Sequence, residues 1–192
     1  MKIIGITGSS GSGKTTLCNI LKDKYKAEVI NADMVAKELT QKPTMYLNCI
    51  IDYFGTNIIY KNGSLNRKKL ANIIYDDVDK REELNKLTFL YVVDEIKKKI
   101  NGLNTKKLIV IDAPLLFESN LNQICDFVIC IISDNETKLK RICKRDNIDI
   151  EIAIKRLTAQ KQDEFYKENS DYIIDNNNEI KDTEKQLEKI NI

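Results

Sequence analysis

Residues 8–15 read Gly-Ser-Ser-Gly-Ser-Gly-Lys-Thr and match G-x-x-x-x-G-K-[ST] at every fixed position. No other feature constrains the fold as much, because this pattern needs a strand before it and a helix after it. Both are present. Residues 2–7 are a short apolar run that stops at the glycines, which predicts a buried strand. Residues 15–26 place Leu17, Ile20 and Leu21 at helical spacing. Glycine lets the backbone turn so that successive N–H groups face inward, and the helix start adds partial positive charge. Gly8, Gly11, Ser12, Gly13, Lys14, Thr15 and Thr16 are therefore expected to bind the phosphates of ATP. Lys14 is expected to reach the β- and γ-phosphates, which also makes it a candidate catalytic group, and the Thr15 hydroxyl to ligate Mg²⁺. The bland alternative is a glycine-rich turn without a ligand, which leaves the complete motif unexplained.

Further along, short apolar runs alternate with helical patterns. Strands are expected at residues 27–31, 108–111, 127–132 and 172–174. Helices are expected at 34–39, 43–54 (with Pro43 at the start), 66–75 (capped by Asn66), 79–100, 138–146, 150–160 and 179–190. Asn62-Gly63 marks a turn. Strands that alternate with helices imply an α/β fold with a parallel sheet covered on both faces.

Composition narrows the chemistry. The chain has 192 residues, 42% of them hydrophobic, with a net charge of +2. That suits one globular domain and argues against a general nucleic-acid binder. It contains no histidine, so a serine–histidine triad and any histidine-bearing zinc site are excluded. The five cysteines form no C-x-x-C pair and read as reduced thiols. The longest apolar run outside the N-terminal strand, residues 127–132, is far too short to span a membrane, and residues 1–11 break into glycines too early for a signal peptide. A cytoplasmic protein is the expectation. The guanine-reading element Asn-Lys-x-Asp is absent, and the chain is short for a motor, so a small-molecule kinase fits best.

Beyond the phosphate loop, the chain resembles the dephospho-CoA kinase family nearly from end to end. The resemblance rests on residues 4–8, on Ile30-Asn31-Ala32-Asp33-Met34-Val35-Ala36, on Tyr53-Phe54-Gly55, on Gly63-Ser64-Leu65-Asn66-Arg67 and on Leu84-Asn85. It continues through Asp112-Ala113-Pro114-Leu115-Leu116-Phe117-Glu118, Leu139-Lys140-Arg141, Lys144-Arg145-Asp146, Ala159-Gln160 and residues 171–176. Three positions depart from the family pattern. Asn31 replaces a usual aspartate, Lys37 a usual arginine, and Phe89-Leu90 stands where His-Pro is common.

The resemblance implies a three-layer α/β/α P-loop kinase fold with a five-stranded parallel sheet. It implies one domain over 1–192: a core of 1–42, 103–137 and 166–192, a helical acceptor-binding region at 43–102 and a mobile lid at 138–165. It implies that Asp33 is the base for the ribose 3′-hydroxyl of dephospho-CoA, the products being coenzyme A and ADP. Asp33 also follows an expected strand directly, where α/β folds bind ligands, although an aspartate there can simply cap the next helix. Asp112 ends an apolar strand like a metal-holding carboxylate, or is only a turn residue. Residues 138–161 carry eight Lys and Arg against three acids. The resemblance makes Arg141 catalytic and Arg145 ATP-binding, whereas charge runs usually form a solvated face. It places Arg67, Pro114 and Leu115 with the acceptor, and Tyr53, Phe54 and Tyr91 are further lining candidates or simply core. The remaining expectations are a small-molecule substrate, no nucleic acid, no membrane, and a monomer or small homo-oligomer. Two alternatives stay open: a kinase for a nucleoside or nucleoside monophosphate, and a nucleotide-binding regulator without turnover.

Overall fold

The computed structural model describes residues 1–41, 43–75 and 77–192. Lys42, the last residue of the expected first core segment, lies outside the described residues. The elements follow in order: β1 (Lys2–Thr7), α1 (Lys14–Tyr25), β2 (Glu28–Asn31), α2 (Ala32–Glu38), α3 (Met45–Phe54), α4 (Arg67–Tyr75), α5 (Val78–Gly102), β3 (Leu108–Asp112), β4 (Phe127–Ile132), α6 (Asn135–Asp146), α7 (Ile150–Thr158), α8 (Asp163–Asn169), β5 (Tyr172–Asp175) and α9 (Ile180–Leu187). The five strands form one parallel sheet in the order β2-β3-β1-β4-β5. The expected α/β class is therefore observed.

By compactness the chain divides into two units, residues 1–30 with 104–192 and residues 31–103. In the first, β1 is the central strand. Ile4 pairs with Val110 on one side and Phe127 on the other, and Ile6 with Asp112 and Ile129. All five β3 residues are buried, so that strand reads as an unbroken apolar run ending in an acid. Leu17, Cys18, Ile20 and Leu21 of α1 and Leu187 of α9 pack against Ile4, Ile6, Val110 and Ile129. Each such fully buried aliphatic side chain stabilises the fold by about 1.5–3 kcal/mol. The five cysteines are free thiols. Burial pushes Cys125 and Cys130 up to about 12 and Cys18 higher still, so all three stay protonated and act as small core residues.

The second unit is helical and has its own core, in which Tyr46, Leu47, Ile50, Ile58, Leu65 and Leu70 are buried together. Its turns follow local chemistry. Gly63 takes φ +79°, as the Asn-Gly pair requires, and Ile59 bridges Leu65 across it. Asn66 accepts the Lys69 N–H at 3.1 Å and caps α4 as expected.

Some boundaries move. The helix expected from Pro43 starts at Met45, because the Thr44 hydroxyl accepts the Leu47 N–H at 3.1 Å and takes the cap. The helix expected from Lys138 starts three residues earlier, where the Asp134 carboxylate accepts the Thr137 N–H at 2.7 Å. Short α8 has no counterpart in the sequence reading. Tyr166 is its only buried residue, which leaves no periodic signal to see.

Candidate functional site

The phosphate loop leaves the carboxyl end of the central strand, the edge at which open parallel sheets bind ligands. Gly8, Gly11 and Gly13 have φ values of +141°, +79° and +110°. Gly13 is the N-cap of α1, and no side chain caps that helix start, an arrangement that suits an anion. The Lys14 ammonium donates to the carbonyls of Gly8 (2.7 Å) and Ser9 (3.1 Å). The Ser12 hydroxyl is buried with no hydrogen-bond partner among the described residues. A polar ligand in the loop would remove that cost.

Behind the loop sits Asn176, 4% exposed. Its Nδ2 donates to the Ser12 carbonyl at 2.8 Å, and its Oδ1 accepts from the Thr183 hydroxyl at 3.0 Å. A Cβ on Gly13 would lie 1.9 Å from that Nδ2. Gly13→Ala is therefore expected to cost about 2–4 kcal/mol, from the clash and from a backbone that alanine disfavours. Thermal unfolding measures this, and an unchanged midpoint would contradict the packing.

Arg141 is half-buried. Its guanidinium donates to the Ser133 hydroxyl (2.9 Å), the Asn176 carbonyl (2.9 Å) and the carbonyls of Gly11 (3.3 Å) and Ser12 (3.4 Å). The structure thus engages this expected catalytic residue with the back of the loop. Arg145 is largely exposed. It makes two bonds to Asp146, at 2.8 and 2.9 Å, and a longer one of 3.4 Å to the Ser10 hydroxyl. The Arg145 bonds, joined by Arg156 at 2.7 Å, hold the Asp146 carboxyl below its ordinary range.

Asp112 is 5% exposed at the carboxyl end of β3, in register with Ile6 two residues before Gly8. Besides burial, Asp112 raises and Lys14 lowers the Cys18 thiol, so both charges act on one neighbourhood beside the loop. Oxygen donors at Thr15 and Asp112 are the type that Mg²⁺ prefers. Among the described residues no group of three or more acids and thiols could hold a metal. Mg²⁺ does not need one, since it is usually bound by one or two protein oxygens together with substrate phosphates. Downstream of Asp112, the Thr7 hydroxyl reaches the Pro114 carbonyl at 3.5 Å, and Leu115 is 37% exposed.

The second unit holds a cavity of about 190 Å³ whose lining includes Asp33, Lys37, Thr40, Tyr46, Arg67 and Leu84. Two of the expected site residues, Asp33 and Arg67, thus meet in one cavity. Asp33 lies in the first turn of α2, but the cap of that helix is Asn31, which accepts the Met34 N–H at 2.9 Å. The simple capping role for Asp33 is thereby taken by its neighbour. Arg67 donates to the Lys37 carbonyl at 3.2 Å and to the Thr40 hydroxyl. Tyr46 lines the cavity and bonds Thr88 at 2.8 Å. Of the suggested aromatics, Tyr53 is exposed and edge-on to Phe54, while Phe54 and Tyr91 pack against the core of this unit, the Tyr91 ring 5.6 Å from that of Tyr46 and its hydroxyl 3.1 Å from the Cys49 thiol.

The family described as Dephospho-CoA kinase matches residues 2–182. The chain belongs to the dephospho-CoA kinase family. A dephospho-CoA kinase of Fusobacterium nucleatum is 37% identical over 187 residues, which covers 97% of this chain and 95% of that one. Among solved structures, the dephospho-CoA kinase from Campylobacter jejuni is 28% identical with a TM-score of 0.68, covering 98% of this chain and 95% of that one. A Thermus thermophilus crystal structure, 23% identical with a TM-score of 0.81 over 97% of this chain and 94% of that one, supports the fold alone. Among the described residues, no helix is long and apolar enough to cross a membrane.

Several residues around the phosphate loop escaped sequence reasoning. Asn176 and Ser133 sit among polar residues that read as loops. Lys138, which the sequence offers only as one cation of the basic 138–161 stretch, is 2% exposed and paired with Asp163. Its place four residues after Asp134, on the inner face of α6, was the available signal. The family departures sit quietly: Asn31 caps α2, the Lys37 carbonyl receives Arg67, and Phe89-Leu90 continues α5 without a break.

Proposed function

We propose that this chain transfers the terminal phosphoryl group of ATP to the ribose 3′-hydroxyl of dephospho-CoA, yielding coenzyme A and ADP. The match to the family over residues 2–182 carries this reading, because a phosphate loop alone specifies only nucleotide binding. In the proposal the loop amides and Lys14 hold the triphosphate. Arg141 stiffens the loop from behind and Arg145 adds charge at its outer edge. The Thr15 hydroxyl and the Asp112 carboxylate are the groups that would hold Mg²⁺. That ion supplies charge neutralisation at the β- and γ-phosphates.

The acceptor enters the 43–102 region, where Arg67 offers a cation to its phosphates, and its ribose hydroxyl lies near Asp33, which takes the proton. Pro114 and Leu115 are proposed as further acceptor-binding residues. Residues 138–165 act as a lid that excludes water, which would otherwise compete as acceptor. Residues 1–192 work as one kinase domain.

The test is purified protein with ATP, Mg²⁺ and a panel of acceptors: dephospho-CoA, nucleosides and nucleoside monophosphates. Coenzyme A formation dependent on added Mg²⁺, with the other acceptors slower by about 10³-fold or more, is the expected outcome. ADP release with a nucleoside monophosphate as the favoured acceptor would replace this reading. Tight ATP binding without turnover on any acceptor would convert it to a regulatory one.

A further inference from the structure

We propose that Gln160 and the Lys138–Asp163 ion pair are positioning residues of the phosphate loop, fixing Ser9 and Ser10 in the shape that accepts nucleotide. The inference rests on the phosphate-loop reading above and deepens it. The Ser10 N–H donates to Gln160 Oε1 at 2.7 Å. The Ser9 hydroxyl, on a residue only 1% exposed, donates to Asp163 Oδ1 at 3.1 Å. Lys138 Nζ donates to both oxygens of the same carboxylate, at 2.7 and 2.6 Å. The Lys138 carbonyl closes the third side, since a Cβ on Gly11 would lie 2.6 Å from it. Consecutive loop residues 9, 10 and 11 are therefore gripped by α6, by the α7–α8 connection and by the first residue of α8.

Chemistry says why this grip concerns binding and not only folding. Burying an ammonium and a carboxylate is expensive, and a well-packed apolar pair often stabilises a fold as well or better. What the ion pair adds is direction: one oxygen of Asp163 serves Lys138 and Ser9 together. The loop has glycines at three positive φ angles, so its backbone has wide conformational freedom when unfolded. Such a loop loses conformational entropy when it closes on phosphates, and external struts remove part of that cost beforehand. The Ser10 amide is tied to a side chain, so the amides nearer α1 keep one fixed direction.

The experiment measures ADP affinity by calorimetry, KM for ATP and for dephospho-CoA, and the thermal unfolding midpoint. Gln160→Met removes the acceptor at nearly constant volume. It is expected to weaken ADP binding and raise the ATP KM about tenfold, with the dephospho-CoA KM within about twofold of the parent. Asp163→Asn keeps an acceptor for Ser9 but leaves the Lys138 ammonium buried without its countercharge, so it is expected to lower the unfolding midpoint while the folded protein stays within about threefold of parental ADP affinity. The double variant Lys138→Met/Asp163→Leu leaves no unpaired charge, so the fold is retained, yet it still weakens ADP about tenfold because Ser9 has lost its partner. Parental ADP affinity in both the double variant and Gln160→Met would overturn the inference while leaving the proposed function intact, as would equal rises in the two KM values. A parent protein that binds no ADP would overturn the phosphate-loop reading and this inference with it.

Discussion

Asp33→Asn is expected to lower kcat by about 10²–10⁴-fold while ADP affinity stays close to the parental value. The substitution keeps size and shape and removes only the ability to take a proton. The chain has no histidine, so the proton of an attacking hydroxyl must go to another type of base. Asp33 lines the cavity of the second unit together with Arg67, while Asn31 performs the helix-capping work that an aspartate at this junction otherwise does. Loss of one acid from the first turn of α2 weakens its dipole interaction by about 0.3–1 kcal/mol, which predicts only a small fall in the unfolding midpoint. A fall in kcat with little thermal change therefore reports chemistry. Turnover near the parental rate would remove Asp33 from the base role.

Much of this was legible in advance, for identifiable reasons. The phosphate loop is contiguous, its residue types are dictated by backbone geometry, and the glycines at positions 8, 11 and 13 take the positive φ angles that such a loop needs. The strands declared themselves as short apolar runs, because a parallel sheet is buried on both faces. What stayed hidden is non-local. Asn176 touches the loop from 164 positions away, and Asp163 reaches Ser9 across 154. Nothing in the spacing of these residues signals the contact. The burial of Lys138 is not legible, because a lysine in a basic run is ordinarily solvated and the carboxylate that makes its burial tolerable comes from the short, aperiodic α8. Tyr46 goes unnamed beside Tyr53, Phe54 and Tyr91, since helical spacing names the inner face of α3 and α5 but not which aromatic edges a cavity.

Lys14→Ala is expected to lower kcat/KM for ATP by about 10²–10³-fold, the usual scale for deleting one preorganised donor at developing charge. The Lys14 ammonium is already aimed, with bonds to the carbonyls of Gly8 and Ser9 that hold it across the loop. A triphosphate offers charge-assisted bonds, which are stronger than bonds to neutral carbonyls, so the ammonium can turn to phosphate with little rearrangement. Removing it takes away a cation and also a strap over residues 8 and 9. The loss is therefore expected in both ADP affinity and kcat. Lys14→Arg is not a rescue, because a planar guanidinium cannot replace a compact ammonium in a loop whose carbonyls lie 2.7 and 3.1 Å from Nζ. Steady-state kinetics with varied ATP, paired with ADP calorimetry, separate the two losses. If Lys14→Ala turned over ATP within about threefold of the parent, the triphosphate would have to sit somewhere other than this loop.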